Sequence, residues 1–406
     1  MKNSYLPLLL VLLGASPLAR AQSPLAFTPM PAVPDGGRYG MGYCQDPNAL
    51  YMIGGGSTVA PYTSEVYRFD LATGSWGSGP LSTGQVTPHR FGTAVIIPPY
   101  TSNNLIYVLN AATNAGPLAT LPVLQTSNGQ ASTALANATP SSTAALAVWN
   151  GLLYAYGGQL ANGTYTNQLR SYNPATNVWT TLAPMPEAKN TFGAAVNGKL
   201  YAIGGYNGVV NSDKVHVYDI ATNQWQLQAT LPTTLSNQAV AVQGEWIWLV
   251  GDFNNLNYLA AYNTRTAQLR TFTSNIPGRR NAAAAIHNNQ LYVWGGNTAS
   301  AGSATLSDMW RANVSNVLAT SSARASAPLL SAHPNPSTTG DFTLVLPANS
   351  RTLEVHDAMG RQVHTSFLAA TAKEYQLRLS HLPAGVYSVR VRTSQGLSAP
   401  CQLLRR

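Results

Sequence analysis

The sequence predicts an all-β chain in which a ring of repeated four-stranded units is followed by a small β-sandwich. Three observations carry this. An aromatic residue, two apolar residues and paired glycines recur at residues 51–55, 154–158, 201–205 and 292–296, giving Gly54, Gly55, Gly157, Gly158, Gly204, Gly205, Gly295 and Gly296. Residues 248–252 keep only the first glycine, Gly251, and residues 107–110 keep neither. Measured at the aromatic (Tyr51, Tyr107, Tyr154, Tyr201, Trp248, Tyr292), the steps are 56, 47, 47, 47 and 44 residues, a period that marks a repeat architecture. Second, each unit reads as short strands joined by turn signals. Third, the character changes after Asn316, from repeats to an Ala/Ser-rich stretch and then unrelated short strands.

The unit around Tyr201 shows the reading in full. Residues 192–196 form a first strand of small residues, and Asn197-Gly198 is a favoured tight hairpin into residues 200–203. A polar loop follows the glycines, and residues 215–218 alternate as a third strand. Residues 219–225 turn the chain into a fourth strand beginning at Trp225. That turn, Asp/Asn-x-x-Thr-x-x-Trp/Leu, recurs at 70–76, 173–179 and 263–269, and its Asx and Thr side chains can satisfy backbone groups locally. The small first strands at 92–94, 144–145 and 282–285 suit the crowded axis of a radial assembly, while Tyr and Trp have room to pack between units.

These glycines, the spaced Tyr and Trp and the step near 47 resemble the Kelch family of β-propellers, over roughly residues 25–314. The resemblance implies a six-bladed Kelch-type β-propeller, residues 22–316, whose second blade is degenerate. Blade six runs through a third strand at 309–312 into linker and lacks a fourth. Residues 25–31 are similar to residues 179–186, the fourth strand and exit of blade three, so the N-terminal segment is expected to close the last blade and leave no open edge.

The N-terminus gives an address. Lys2, an apolar run at 6–13 and the small-x-small pattern Ala19-Arg20-Ala21 read as a signal peptide, residues 1–21, too short to span a bilayer. Residues 317–327 read as linker, and 328–406 as a domain of short strands at 342–346, 353–357 and 386–391. Pro334-Asn335-Pro336, then Asp357 with Gly360-Arg361, then Leu382 with Gly385 and Tyr387, and the basic end Leu403-Leu404-Arg405-Arg406 together resemble the C-terminal sorting domain of the type IX (Por) secretion system of Bacteroidetes. His333 stands where that family usually has an aromatic. The resemblance implies Sec-dependent passage to the periplasm, export by the type IX machinery, and a mature protein that is secreted or attached to the outer-membrane surface.

Only 9% of the 406 residues are charged. The net charge of +9 is unevenly spread: residues 23–314 hold 12 Lys/Arg and 10 Asp/Glu, and residues 325–406 hold 8 and 4. Without a clustered basic stripe in the repeats, nucleic-acid binding is not expected. Cys44 and Cys401 fall in different domains and are expected to be separate thiols. The seven histidines show no metal-ligand spacing, there is no nucleophile elbow or phosphate loop, and no cofactor is expected. Galactose-oxidase-like copper chemistry needs surroundings that Cys44 lacks, and a sialic-acid mutarotase-like sugar epimerase is the alternative that fold resemblance leaves open. Among the carboxylates Asp70, Asp219 and Asp308 read as turn residues, whereas Asp35, Asp46, Glu65, Glu187, Asp213, Glu245 and Asp252 have no assigned role.

Strand direction selects a binding face. The lead-in to strand one and the loop after Gly-Gly lie at the same end of each hairpin, which gathers Arg38, Arg90, Asn190, Asn237 and Arg280 with Asn162, Tyr206, Asn207, Asn254, Asn255 and Asn297. Amides and an aromatic suit sugar hydroxyls, and arginines suit a carboxylate or sulfate, so the expected function is a binding or adhesion module for a glycan or protein ligand.

Overall fold

The computed structural model describes residues 24–406 except 138, 300–303, 316, 318–329, 347–348, 358–360, 370, 394–395 and 398–400. The leader with Ala19 and Ala21, and nearly all of the linker, lie outside the described residues. The described backbone is strand, turn and loop; no helix in it is long and apolar enough to cross a membrane. It divides into two compact units, Met1–Asn316 and Val317–Arg406.

The first unit is a six-bladed propeller of antiparallel sheets. Blade four is the pattern for the rest: Asn190–Val196, Lys199–Tyr206, Ser212–Asp219 and Gln224–Leu235 pair in that order. The Asn197-Gly198 hairpin closes the first two strands, both residues with positive φ (49° and 74°), the geometry such a turn demands. In the turn into the last strand Asp219 Oδ1 accepts from the backbone of Ala221 and Thr222; Asp70 does the same for Ala72 and Thr73, and Asn263 for Arg265 and Thr266. Blade six is Ala283–His287, Gln290–Trp294 and Met309–Asn313, with Thr28–Met30 as its outermost strand. Thr28, Pro29 and Met30 stand opposite Arg311, Trp310 and Met309, and Phe27 is further tied by two hydrogen bonds to the Asn275 amide.

The apolar core is divided among the seams. Leu50, Met52 and Phe69 of blade one meet Tyr292, Trp294 and Met309 of blade six, and like clusters join blades one and two, two and three, three and four, and four and five. The paired glycines explain how blades come so close. The first glycine is left-handed (Gly54 60°, Gly157 72°, Gly204 62°, Gly251 70°, Gly295 59°). A Cβ on it would stand 2.5 Å from the carbonyl oxygen of Lys189 at Gly157, 2.4 Å from that of Leu235 at Gly204, 2.1 Å from that of Arg279 at Gly251 and 2.6 Å from that of Arg38 at Gly295. The carbonyls of Lys189, Arg279 and Arg38 belong to segments leading into the next blade, and that of Leu235 ends blade four's last strand, just before blade five. The second glycine, at φ 98–111° where present, adopts a conformation that L-residues rarely reach.

Blade two carries neither glycine yet has four strands, Thr93–Ile96, Leu105–Leu109, Thr120–Gln125 and Ala131–Ala136. Asn110 takes the left-handed turn at φ 59°, which asparagine tolerates better than other side chains. Ala111 has no second-glycine geometry, and the chain instead forms the hairpin Ala112–Thr113 and Gly116–Pro117, which pairs with His89–Arg90 and through it with blade one.

The second unit has a three-stranded and a five-stranded sheet sharing a core of Phe342, Leu344, Leu353, Val355, Leu377, Val389, Val391 and Leu403.

Gly204→Ala tests the glycine–carbonyl contact against Gly244→Ala as control. Both glycines have φ near +60°, but a Cβ at Gly244 meets nothing within 4 Å. By denaturant unfolding, Gly204→Ala is expected to cost about 2–4 kcal/mol, strain plus overpacking, and Gly244→Ala about 1 kcal/mol. Equal costs would remove the contact from the explanation.

Candidate functional site

The mouth of the ring is set by the residues that start the innermost strands. Five of them are left-handed: Gly40 (60°), Phe91 (53°), Thr143 (56°), Asn237 (59°) and Asn281 (52°). Backbone bonds link them across seams, from Asn281 N to Asn237 O at 2.9 Å, from Gly40 N to Asn281 O at 2.7 Å and from Phe91 N to Gly40 O at 2.5 Å. The rim is therefore part of the fold's hydrogen-bond system, and the side chains beside it are held in place.

The structure sorts the sequence-selected residues by their place along the lead-in. One residue before the strand-pairing position stand Arg38, His89, Lys189 and Arg279, with exposures of 4%, 0%, 1% and 1%. The three cations are buried with acids. Arg38 reaches Glu65 at 3.4 Å and Asp35 at 3.5 Å, Lys189 reaches Glu187 at 2.8 Å and Ser212 Oγ at 3.1 Å, and Arg279 grips both oxygens of Asp308 at 3.0 Å. Arg38 thus braces its own blade inside the protein, and Asp308, expected in or beside a repeat turn, is the partner of Arg279. Burial works to raise the Glu187 carboxyl, but the hydrogen bond and charge of Lys189 outweigh it and leave it below its ordinary value.

Several selected amides are also occupied within the fold. Asn190 Oδ1 accepts from Tyr206 N at 2.6 Å; Asn162 and Asn207 cap their own loops through Thr164, Val209 and Val210. Asn297 is buried and donates to Ala299 O at 2.6 Å. Asn237 donates to Asn281 Oδ1 at 2.8 Å, and Asn254 and Asn255 are exposed with their backbone amides held by Asp252.

Arg90 and Arg280 remain. They stand at the pairing position itself and are half-buried, and among the described residues neither has an acid within ion-pair distance. Arg90 donates to Tyr39 Oη at 2.7 Å and lies over Tyr62, Phe91 and Tyr39 at 4.9, 5.1 and 5.9 Å. Arg280 lies 4.2 Å over Phe253 and donates to Ala299 O. The aromatic faces fix each guanidinium as a flat surface, with no acid of the described residues paired to it directly and only the charge of Asp252 acting on Arg280 from farther away. The loops after the glycines add exposed apolar side chains, Val59 at 88%, Val209 at 83% and Phe253 at 48%, and Tyr206 packs edge-on against Tyr165.

All ten carboxylates of the propeller have structural partners. Asp46 holds the Asn48–Ala49 backbone and Tyr51, Asp252 caps its loop, Asp35 binds Tyr67 as well as Arg38, and Glu245 and Asp213 pair with Arg265 and Lys214. Among the described residues no three His, Cys, Asp or Glu come together as a metal site, and Cys44 and Cys401 are free thiols. Sequence reading missed the buried-cation position; aligning the lead-ins would have exposed it, since Arg38 precedes Glu65 by 27 residues and Arg279 precedes Asp308 by 29.

A family described as the KLHDC2/KLHL20/DRC7 Kelch-repeats domain matches residues 40–252, and one described as a secretion system C-terminal sorting domain, Por_Secre_tail, matches residues 331–400. Similar proteins include Kelch-like ECH-associated protein 1A of Danio rerio, 44% identical over 16% of this chain and 12% of that protein. Kelch-like protein terF of Aspergillus terreus is 31% identical over 36% of this chain and 34% of its own. Kelch-like protein 7 of Rattus norvegicus is 36% identical over 27% and 19%. The chain thus spans about a third or less of these relatives.

His89, at the cation position of blade two, generates a pH prediction. Its Nδ1 bonds Thr87 O at 2.8 Å, its Nε2 is buried without a partner among the described residues, and burial pushes its pKa down against the opposing effect of the Thr87 carbonyl. A histidine lowered in the folded state binds its proton more readily when unfolded. Stability is then complete above about pH 6.5 and declines as pH falls below it, by at most about 1.4 kcal/mol per unit. His216, lowered chiefly by burial and also by Lys189, acts in the same direction. His89→Asn keeps a donor for Thr87 and cannot titrate, so its melting temperature should fall less than the parent's between neutral and mildly acidic pH. An equal fall would exclude His89.

Proposed function

Because the chain belongs to the Kelch-repeat family and ends in a Por-type sorting domain, we propose that it is an exported binding module whose glycine-loop face captures a partner carrying acidic groups. Kelch repeats favour a protein partner, and the sorting domain implies the type IX secretion machinery as the export partner, with a secreted or outer-membrane-surface destination. The observation that carries the reading is the contrast between three cations buried with acids and two, Arg90 and Arg280, stacked on aromatics at the rim without one. A partner carboxylate or sulfate would complete the guanidiniums by bidentate bonds. Phe253 offers apolar contact beside Arg280, Val59 and Val209 display apolar surface on other glycine loops, and buried aromatic and arginine anchors are what typically dominate protein interfaces. An acidic glycan is the other partner with this chemistry, and the leader at residues 1–21 would supply Sec-dependent passage.

The test is binding of the purified protein to arrays of acidic peptides and of sialylated and sulfated glycans. The Arg90→Ala, Arg280→Ala double variant is expected to lose binding by on the order of a hundredfold or more while its melting temperature stays near the parent's. Full affinity in the folded variant would move the site elsewhere, and the array that responds identifies the partner class. The address is tested separately: a chain lacking residues 325–406 is expected to accumulate folded in the periplasm. Its recovery outside the cell would show that export does not depend on the tail.

A further inference from the structure

The axis of the ring holds a channel of about 340 Å³, walled by the first strands of all six blades. Its chemistry is opposite to that of the rim. No Asp, Glu, Lys, Arg or His lines it; Phe91, Phe192, Tyr43, Val95 and Val240 supply apolar surface, and alanines on the remaining strands keep it open. A charged guest would lose its hydration there without a counter-charge. A cavity of about 150 Å³ lined by apolar side chains accepts a benzene-sized molecule, so this channel has room for two fused rings.

One end of the channel carries a directed polar group. Asn297 donates to Ala299 O, Asn281 donates to Asn297 Oδ1 at 3.0 Å, and Asn237 donates to Asn281 Oδ1 at 2.8 Å. Each amide is oriented by the next, the nitrogen always facing down the relay. The series therefore ends in Asn237 Oδ1, an acceptor that takes no hydrogen bond among the described residues and belongs to a residue lining the channel. Such a relay polarises its terminal group and strengthens it as an acceptor.

We infer that the axial channel is a second binding site, for a neutral molecule with an apolar body of one or two rings and a single hydrogen-bond donor directed at Asn237. Its chemistry differs from that of the acidic partner proposed for the rim, and it stands or falls independently of that partner. The ordinary occupant of a partly polar channel is water, which is the competing outcome.

Cys44 lines the channel and provides the readout. Burial, with the charge of Asp46 adding, holds its thiol well above the ordinary value, so labelling is run at alkaline pH. In the full chain bearing Cys401→Ser, the rate at which methyl methanethiosulfonate modifies Cys44 is followed by mass spectrometry with and without indole as the probe. Indole at roughly ten times its Kd should slow modification about tenfold. Asn237→Gly keeps the left-handed backbone but deletes the acceptor, and should weaken indole about tenfold. Ala195→Phe fills the channel and should abolish protection. Modification at one rate with and without indole, or protection that persists in a folded Ala195→Phe protein, overturns the proposal and leaves the channel to water.

Discussion

The structure depends on the close approach of one glycine to one carbonyl, repeated around the ring. At Gly157, Gly251 and Gly295 the backbone leading into the next blade lies where a side chain would begin, and at Gly204 the end of blade four's last strand does. The approach brings donors into range as well, so that Gly158 N bonds Lys189 O and Gly296 N bonds Arg38 O across their seams. The same lead-in residues send their side chains onward, Arg38 to Glu65 of its own blade and Lys189 to Glu187 of the lead-in and Ser212 of its own blade. Each therefore joins its blade to the preceding one by backbone and braces its own by charge. Removing the acid would leave a buried cation uncompensated, which explains why burial of the cation at these positions comes with pairing.

The mouth inherits its rigidity from this arrangement. Because the lead-ins are pinned one residue before the rim, Arg90 and Arg280 begin from fixed backbone and are held flat by Tyr62, Phe91 and Phe253. A guanidinium positioned in advance loses little freedom on binding, the usual condition for a surface arginine to contribute affinity as well as charge. The loops beyond the glycines cap themselves through Ser57, Asn207 and Asp252, leaving Val59, Val209 and Phe253 displayed on short turns.

The fold was largely legible in the sequence, because the seam contact tolerates so few residues. A backbone carbonyl within 2.6 Å of the Cβ position admits only glycine, so the repeat is written in glycines, and the six blades follow from their spacing. Blade two was legible by spacing alone, since Asn110 achieves the left-handed turn without glycine and Ala111 diverts the chain into a hairpin with blade one. The site was less legible. Arg38 and Arg279 look like Arg90 and Arg280 in a sequence, and what separates them is a single residue of register that buries one pair beside acids and leaves the other on aromatic faces. Likewise the loop asparagines read as a ligand surface, whereas many of their side chains hold the loops that carry them.

Amide hydrogen exchange under native conditions tests the seam account most directly. If glycine–carbonyl contacts bind the blades into one cooperative ring, the amides of Gly158 and Gly296, which donate across seams, should exchange only with global unfolding, as slowly as the buried amides of the second strands. Exchange of these two amides well ahead of the strand interiors would mean that the seams open independently, and would contradict the account.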